Sequence, residues 1–238
     1  MPNRSIQRGL RLRPIRQTVL LFAAAAFAIA CLATARADDL PEGQAFVLNE
    51  TATDPMGERH PGTVAWRVDR IKVSGRPDEL VIHGDVEIPF MNLTMAMNIR
   101  RNADSALPAS HTIDMKIALR PGNAGSVFTV PGVMMKFKEK ARGTPLNALS
   151  VKVTEGWFLL GLSNQQSAYN LRLLQERAWF DIPMVYANGR RGILVVSKGC
   201  QGEDVFHEVL AAWTNKPAET GRVSACATAS SGELPRKA

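Results

Sequence analysis

Two arginines follow an Asn-Gly dipeptide in "VYANGRRGILVV", and Arg190 and Arg191 are the side chains of this sequence best suited to grip an anion or a partner. Paired guanidiniums can hold a carboxylate or phosphate bidentately. The competing reading is the wet tip of a hairpin, where charge serves solubility and protects a sheet edge. Met91, Met95 and Met97 alternate along "MNLTMAMNI" and would offer thioethers to a soft ion such as Cu(I). Leu93 and Ile99 complete the same face, which is what a core strand needs with or without a metal. Asp85 and Glu87 share one face of a strand and could act as an acid/base pair, or stand solvated on its outer side.

Other chemistry-bearing residues are scattered. His60, His83, His111 and His207 show neither i, i+4 nor His-x-His spacing, and no CxxC accompanies them, so spacing supports no metal site and no cofactor. Cys200 follows Gly199 ahead of a helix start, where a thiol pKa can fall. GxSxG, HExxH, Walker and GxGxxG patterns are all absent. The chain therefore reads as a non-catalytic binding or envelope-associated accessory module, its partner an unidentified protein or envelope component. Two alternatives stand beside it, a periplasmic hydrolase whose site is assembled from distant residues and a soft-metal (copper) carrier.

The elements that must position these residues are mostly strands. Period-two alternation recurs in "MNLTMAMNI", in "SHTIDMKIAL" and in "LSVKVT", where Leu149, Val151 and Val153 read as the buried half. Half-buried strands with one wet face favour antiparallel sheet. "GTVAWRVDRIKV" changes phase between Val68 and Ile71, which a bulge near Asp69 and Arg70 would reconcile. Asn188-Gly189 is the signature of a type I′ hairpin. Two helices interrupt the strands. "SNQQSAYNLRLLQER" has capping-box spacing at Ser163 and Gln166 and a stripe of Ala168, Leu171, Leu174 and Ala178. "GEDVFHEVLAAW" places Val205, Val209 and Trp213 on one stripe. The expected fold is mainly β, an antiparallel β-sandwich of immunoglobulin-like or open-barrel form with two short α-helices packed on it.

The N-terminal 37 residues carry six arginines, no lysine and no acid, then an apolar run from Thr18 that ends in Ala35-Arg36-Ala37. That is an export signal with a cleavage site, and it assigns the protein to the periplasm. Minority alternatives are an uncleaved anchor and lipidation at Cys31. Cleavage changes the charge argument. The chain has 29 bases and 22 acids, but all the acids and only 23 of the bases follow Ala37, so the mature protein is close to neutral. No nucleic-acid partner is expected, and no membrane span after cleavage. Cys200 and Cys226 remain in a compartment that permits disulfides, and their bridge would contribute about 3 kcal/mol in the chain-entropy model. The boundaries read as a signal peptide over 1–37, a β-sandwich domain over 38–215 and a flexible tail over 216–238.

"ATDPMGERHPGTVAWR", "VEIPFMNLTM", "LPASHTIDM", "VPGVMMK", "GTPLNALSVKVTEGWFLLGLS" and "NLRLLQERAWFDIPMVYANGRRGILVVSKG" together resemble a family of exported alphaproteobacterial proteins of unknown function. The likeness spans about Phe46 to Trp213 and implies a periplasmic domain, with no functional residues to carry over. In architecture alone the chain is similar to β-sandwich proteins of the invasion-associated locus B type, which also run helix, strand, turn, strand, helix towards the C-terminus.

Overall fold

Alternation of apolar and polar side chains dictates strands, and the computed structural model, which describes residues 43–51, 57–72, 78–119 and 125–214, contains twelve of them among those residues. They are β1 (Gly43–Asn49), β2 (Glu58–Ile71), β3 (Glu79–Ile88), β4 (Leu93–Arg101), β5 (Ala109–Leu119) and β6 (Val127–Thr129). Then follow β7 (Met134–Lys136), β8 (Thr144–Pro145), β9 (Ala148–Thr154), β10 (Trp157–Ser163), β11 (Trp179–Tyr186) and β12 (Arg191–Ser197). All belong to one antiparallel sheet in the order β8-β7-β11-β12-β1-β2-β3-β4-β5-β10-β9, with β6 also pairing β11. The sheet curls into a half-barrel, and two helices, α1 (Ser167–Glu176) and α2 (Gly199–Trp213), complete it.

The core lies on the inside of the curl. On β4 every residue of the predicted apolar face is buried, Leu93, Met95, Met97 and Ile99, with Met91 just ahead of it in the 3₁₀ turn Pro89–Met91. Helix α2 closes the core with Val205, Phe206, Val209 and Leu210. It begins at Gly199, three residues earlier than the acids of "GEDV" suggested. Trp66 holds helix and sheet together. Its indole Nε1 donates to the Ser197 carbonyl at 2.9 Å, and its ring packs against Phe206 and Phe180. A Cβ on Gly84 would stand 2.6 Å from that ring, so β3 can carry no side chain at this point.

Several local expectations are corrected. The ladder between β2 and β3 runs without a break from Thr63↔Glu87 to Ile71↔Glu79, so no bulge forms at Asp69 or Arg70. The change of phase instead marks where β2 leaves the covered part of the core, since Val68 and Ile71 are only half-buried. No capping box forms at Ser163, which ends β10 and makes no side-chain cap; a 3₁₀ turn over Asn164–Gln166 leads into α1. The buried positions of α1 are Asn170, Leu173 and Leu174, a face rotated from the predicted stripe. Asn170 is accommodated because its amide imitates a strand, accepting from Asn147 N at 2.8 Å and donating to Asn147 O at 3.0 Å.

The edge strand β9 leaves its predicted apolar face in solvent, and none of its residues is buried. Leu149, Val151 and Val153 are 73%, 51% and 41% exposed. The other side of the strand is occupied instead: Ser150 Oγ donates to the Val130 carbonyl at 2.5 Å, and the Lys152 ammonium lies 5.4 Å from the Phe128 ring while pairing with Glu155. Polar contacts to the β6 segment engage the side of the strand opposite the exposed apolar residues.

Candidate functional site: a polar groove on the solvent face of the sheet

Strand register arranges the outer face of the half-barrel as rows. One row runs Ala65 (β2), Asp85 (β3), Ala96 (β4), Lys116 (β5), Trp157 (β10). The row on one side of it is Thr63, Glu87, Thr94, Ala118, and on the other side Arg67, His83, Asn98, Asp114, Leu159. Small side chains along β4 leave a trough between the acidic ridge of β3 and the Lys116 and Trp157 ridge. The trough holds about 350 Å³ and is lined by Thr63, Ala65, Asp85, Glu87, Thr94, Ala96 and Lys116. A smaller depression of about 180 Å³ continues from Glu87 and Thr94 to the turn at Pro89 and Asn92.

A charge network fixes the acidic ridge. Arg67 Nη1 donates to Asp85 Oδ2, and Arg67 Nε lies 3.2 Å from Asp69 Oδ1. His83 is buried beneath, its Nε2 3.0 Å from Asp85 Oδ1 and its Nδ1 2.6 Å from Asn98 Oδ1. Partial burial alone would raise the Asp85 carboxyl; the hydrogen bonds from Arg67 and His83 outweigh it and hold Asp85 below the usual carboxylate range. The same hydrogen bond raises Arg67. Asp85 is thus a fixed anion and unsuited to donate a proton. Opposite, the Lys116 ammonium lies 5.3 Å from the Trp157 ring, and Trp157 Nε1 donates to Asp114 Oδ1 at 2.9 Å. Neither Glu87 nor Lys116 has an ion-pair partner within 4 Å among the described residues.

The sequence-selected residues fall in different places. Asp85 and Glu87 do share a face and both line the trough. Arg190 and Arg191 lie elsewhere, at the exposed β11–β12 hairpin. Arg190 Nη2 donates to the Glu50 carbonyl at 2.9 Å, so this guanidinium tethers the neighbouring end of β1. The hairpin is not type I′: only Gly189 has positive φ, at 82°, and Gly189 N donates to Tyr186 O. That is the three-residue connection with a left-handed glycine. Met91, Met95 and Met97 are 4%, 2% and 0% exposed, and Met91 Sδ accepts from Asn49 Nδ2 at 3.3 Å. The soft-metal alternative requires accessible thioethers, which these are not. No group of three or more His, Cys, Asp or Glu capable of holding a metal occurs among the described residues.

Cys200 lies in the first turn of α2, beside a recess of about 400 Å³ that Gln44, Trp179 and Glu203 also line. Its expected partner Cys226 lies outside the described residues, as do Cys31, the leader to Ala37 and the tail over 216–238. Lys198 is fully buried, and burial brings its ammonium down to about 8 despite Glu203 at 3.8 Å. Its Nζ donates to Leu174 O at 2.7 Å, capping the C-terminal end of α1, and it is closed to any substrate. His111 is buried against Trp213 with Nε2 unpartnered; burial first, then the Arg101 guanidinium, lowers it to about 4. The trough itself was legible only in part: alternation placed its acids on one face, whereas the row that sets them against Lys116 depends on register. Among the described residues no helix is long and apolar enough to cross a membrane. Compared with family models, curated proteins and solved structures, the chain matches none.

Proposed function

We propose that this chain is an exported periplasmic binding module, non-catalytic, that engages a protein or envelope component through the solvent face of β2 to β5. The observation that carries this reading is the trough along β4, floored by small side chains between an anionic and a cationic wall and built on the sheet rather than on loops. Export rests on the leader, with the mature chain starting at Asp38 and Cys200 paired with Cys226. The resemblance to exported proteins over Phe46 to Trp213 agrees with it. The curled sheet is read as the open-barrel variant of the sandwich class.

The hydrolase alternative draws on Asp85 and Glu87 lining one trough. The engagement of Asp85 by Arg67 and His83 favours binding over proton transfer. The hairpin tip at Arg190 and Arg191 is the second surface to test.

Two measurements test the reading. Native, non-reducing mass spectrometry of protein recovered from the periplasm is expected to give a chain starting at Asp38, two hydrogens light, without metal or lipid. Retention of the leader, or a lipid adduct at Cys31, would overturn the processing. Crosslinked capture from periplasm is expected to lose its partner with Glu87→Gln/Lys116→Ala and to keep it with Arg190→Ala/Arg191→Ala. Unchanged capture by the first variant would remove the trough as the working surface.

A further inference from the structure

Glu87 and Lys116 are charged side chains on opposite walls of one trough, neither with an ion-pair partner within 4 Å among the described residues. They lie on neighbouring rows, Glu87 opposite Thr94 and Lys116 opposite Ala96, so β4 separates them. Two strand spacings and two residues of rise put their Cα atoms about 12 Å apart, and the two head groups do not pair with each other. Other charges nearby are already engaged: Asp85 is held by Arg67 and His83, and Asp114 accepts from Trp157. The floor between is Thr94 and Ala96, whose short side chains leave the space open.

Resting on the trough as the working surface, we propose that it takes a zwitterionic ligand of dipeptide size. Its ammonium would bind Glu87 and its carboxylate Lys116. An extended dipeptide separates the two charges by about 6 Å, and a charge-assisted hydrogen bond adds about 3 Å at each end, a span to which the long, exposed side chains of Glu87 and Lys116 can adjust. A volume of about 350 Å³ accommodates such a ligand. A polyanion is disfavoured, because Asp85 and Glu87 both line the trough and Asp114 lies two residues from Lys116 along β5. A simple cation would leave Lys116 unanswered and repelled. The ligand that satisfies both walls carries one charge of each sign.

The test uses the full mature protein labelled with nitrogen-15 and three probes: alanyl-alanine, its N-acetyl form and its C-terminal amide. Free alanyl-alanine is expected to shift the Thr94, Ala96 and Lys116 amides saturably, each blocked form binding ~10-fold more weakly. Lys116→Ala is expected to remove the preference for the free dipeptide over the amide. Glu87→Gln is expected to remove the preference over the N-acetyl form. Equal binding of all three probes overturns the proposal. No shift from any probe, while the Glu87→Gln/Lys116→Ala protein still loses its captured partner, overturns the ligand class and leaves the working surface standing. No shift together with unchanged capture overturns both.

Discussion

Asp85 and Lys116 stand on one cross-strand row of the solvent face with only Ala96 between them. Ala96 is therefore the residue whose size keeps the trough open. Ala96→Phe is expected to fill it, abolishing both partner capture and amide shifts from alanyl-alanine. Because the position lies on the outer face, unfolding free energy should change by less than about 1 kcal/mol. Denaturant titration beside a binding titration checks both halves, and retained binding with a filled trough would locate recognition elsewhere.

Arg67 makes the hydrogen bond that does most to hold Asp85 ionised against partial burial. Arg67→Ala is expected to raise the Asp85 pKa, as read by carbon-13 NMR titration of its carboxyl. Both groups are about half exposed, so stability should move by no more than about 1 kcal/mol. An Asp85 titration unmoved by this substitution would show that His83 alone sets it.

His111 gives stability a pH dependence of defined sign. Its folded pKa of about 4 lies below the ordinary 6.5, so the unfolded chain binds more protons between those values. Its contribution is fully present above 6.5 and is lost as pH falls towards 4, to the extent of about 3 kcal/mol. His111→Phe, which keeps a ring against Trp213, is expected to flatten that part of the profile. Urea unfolding at several pH values distinguishes a flattened curve from a merely displaced one.

Lys136 and Asp181 form a buried ion pair at 2.6 Å, near in distance though off good hydrogen-bond angles. Burial raises the Asp181 carboxyl and Lys136 opposes the rise. Lys136→Met strands a buried carboxylate and is expected to cost about 3 kcal/mol or more. Lys136→Met/Asp181→Leu should recover most of that loss in thermal unfolding. A double variant as unstable as the single would mean that packing, and not charge, dominates the site.

Period-two alternation determined the antiparallel strands, the buried face of β4 and the shared face of Asp85 and Glu87, because side-chain direction along a strand is a local property of the backbone. The stripe of α2 was legible for the same reason, at helical period. Only the tertiary structure decided that the apolar face of β9 stays in solvent while Ser150 and Lys152 find partners on β6 and the segment after it, which lie about twenty residues away in sequence. It also decided that Lys116 answers Asp85 and Glu87 across β4. Register between strands comes from the packing of every paired face at once, and no single stretch of sequence contains it.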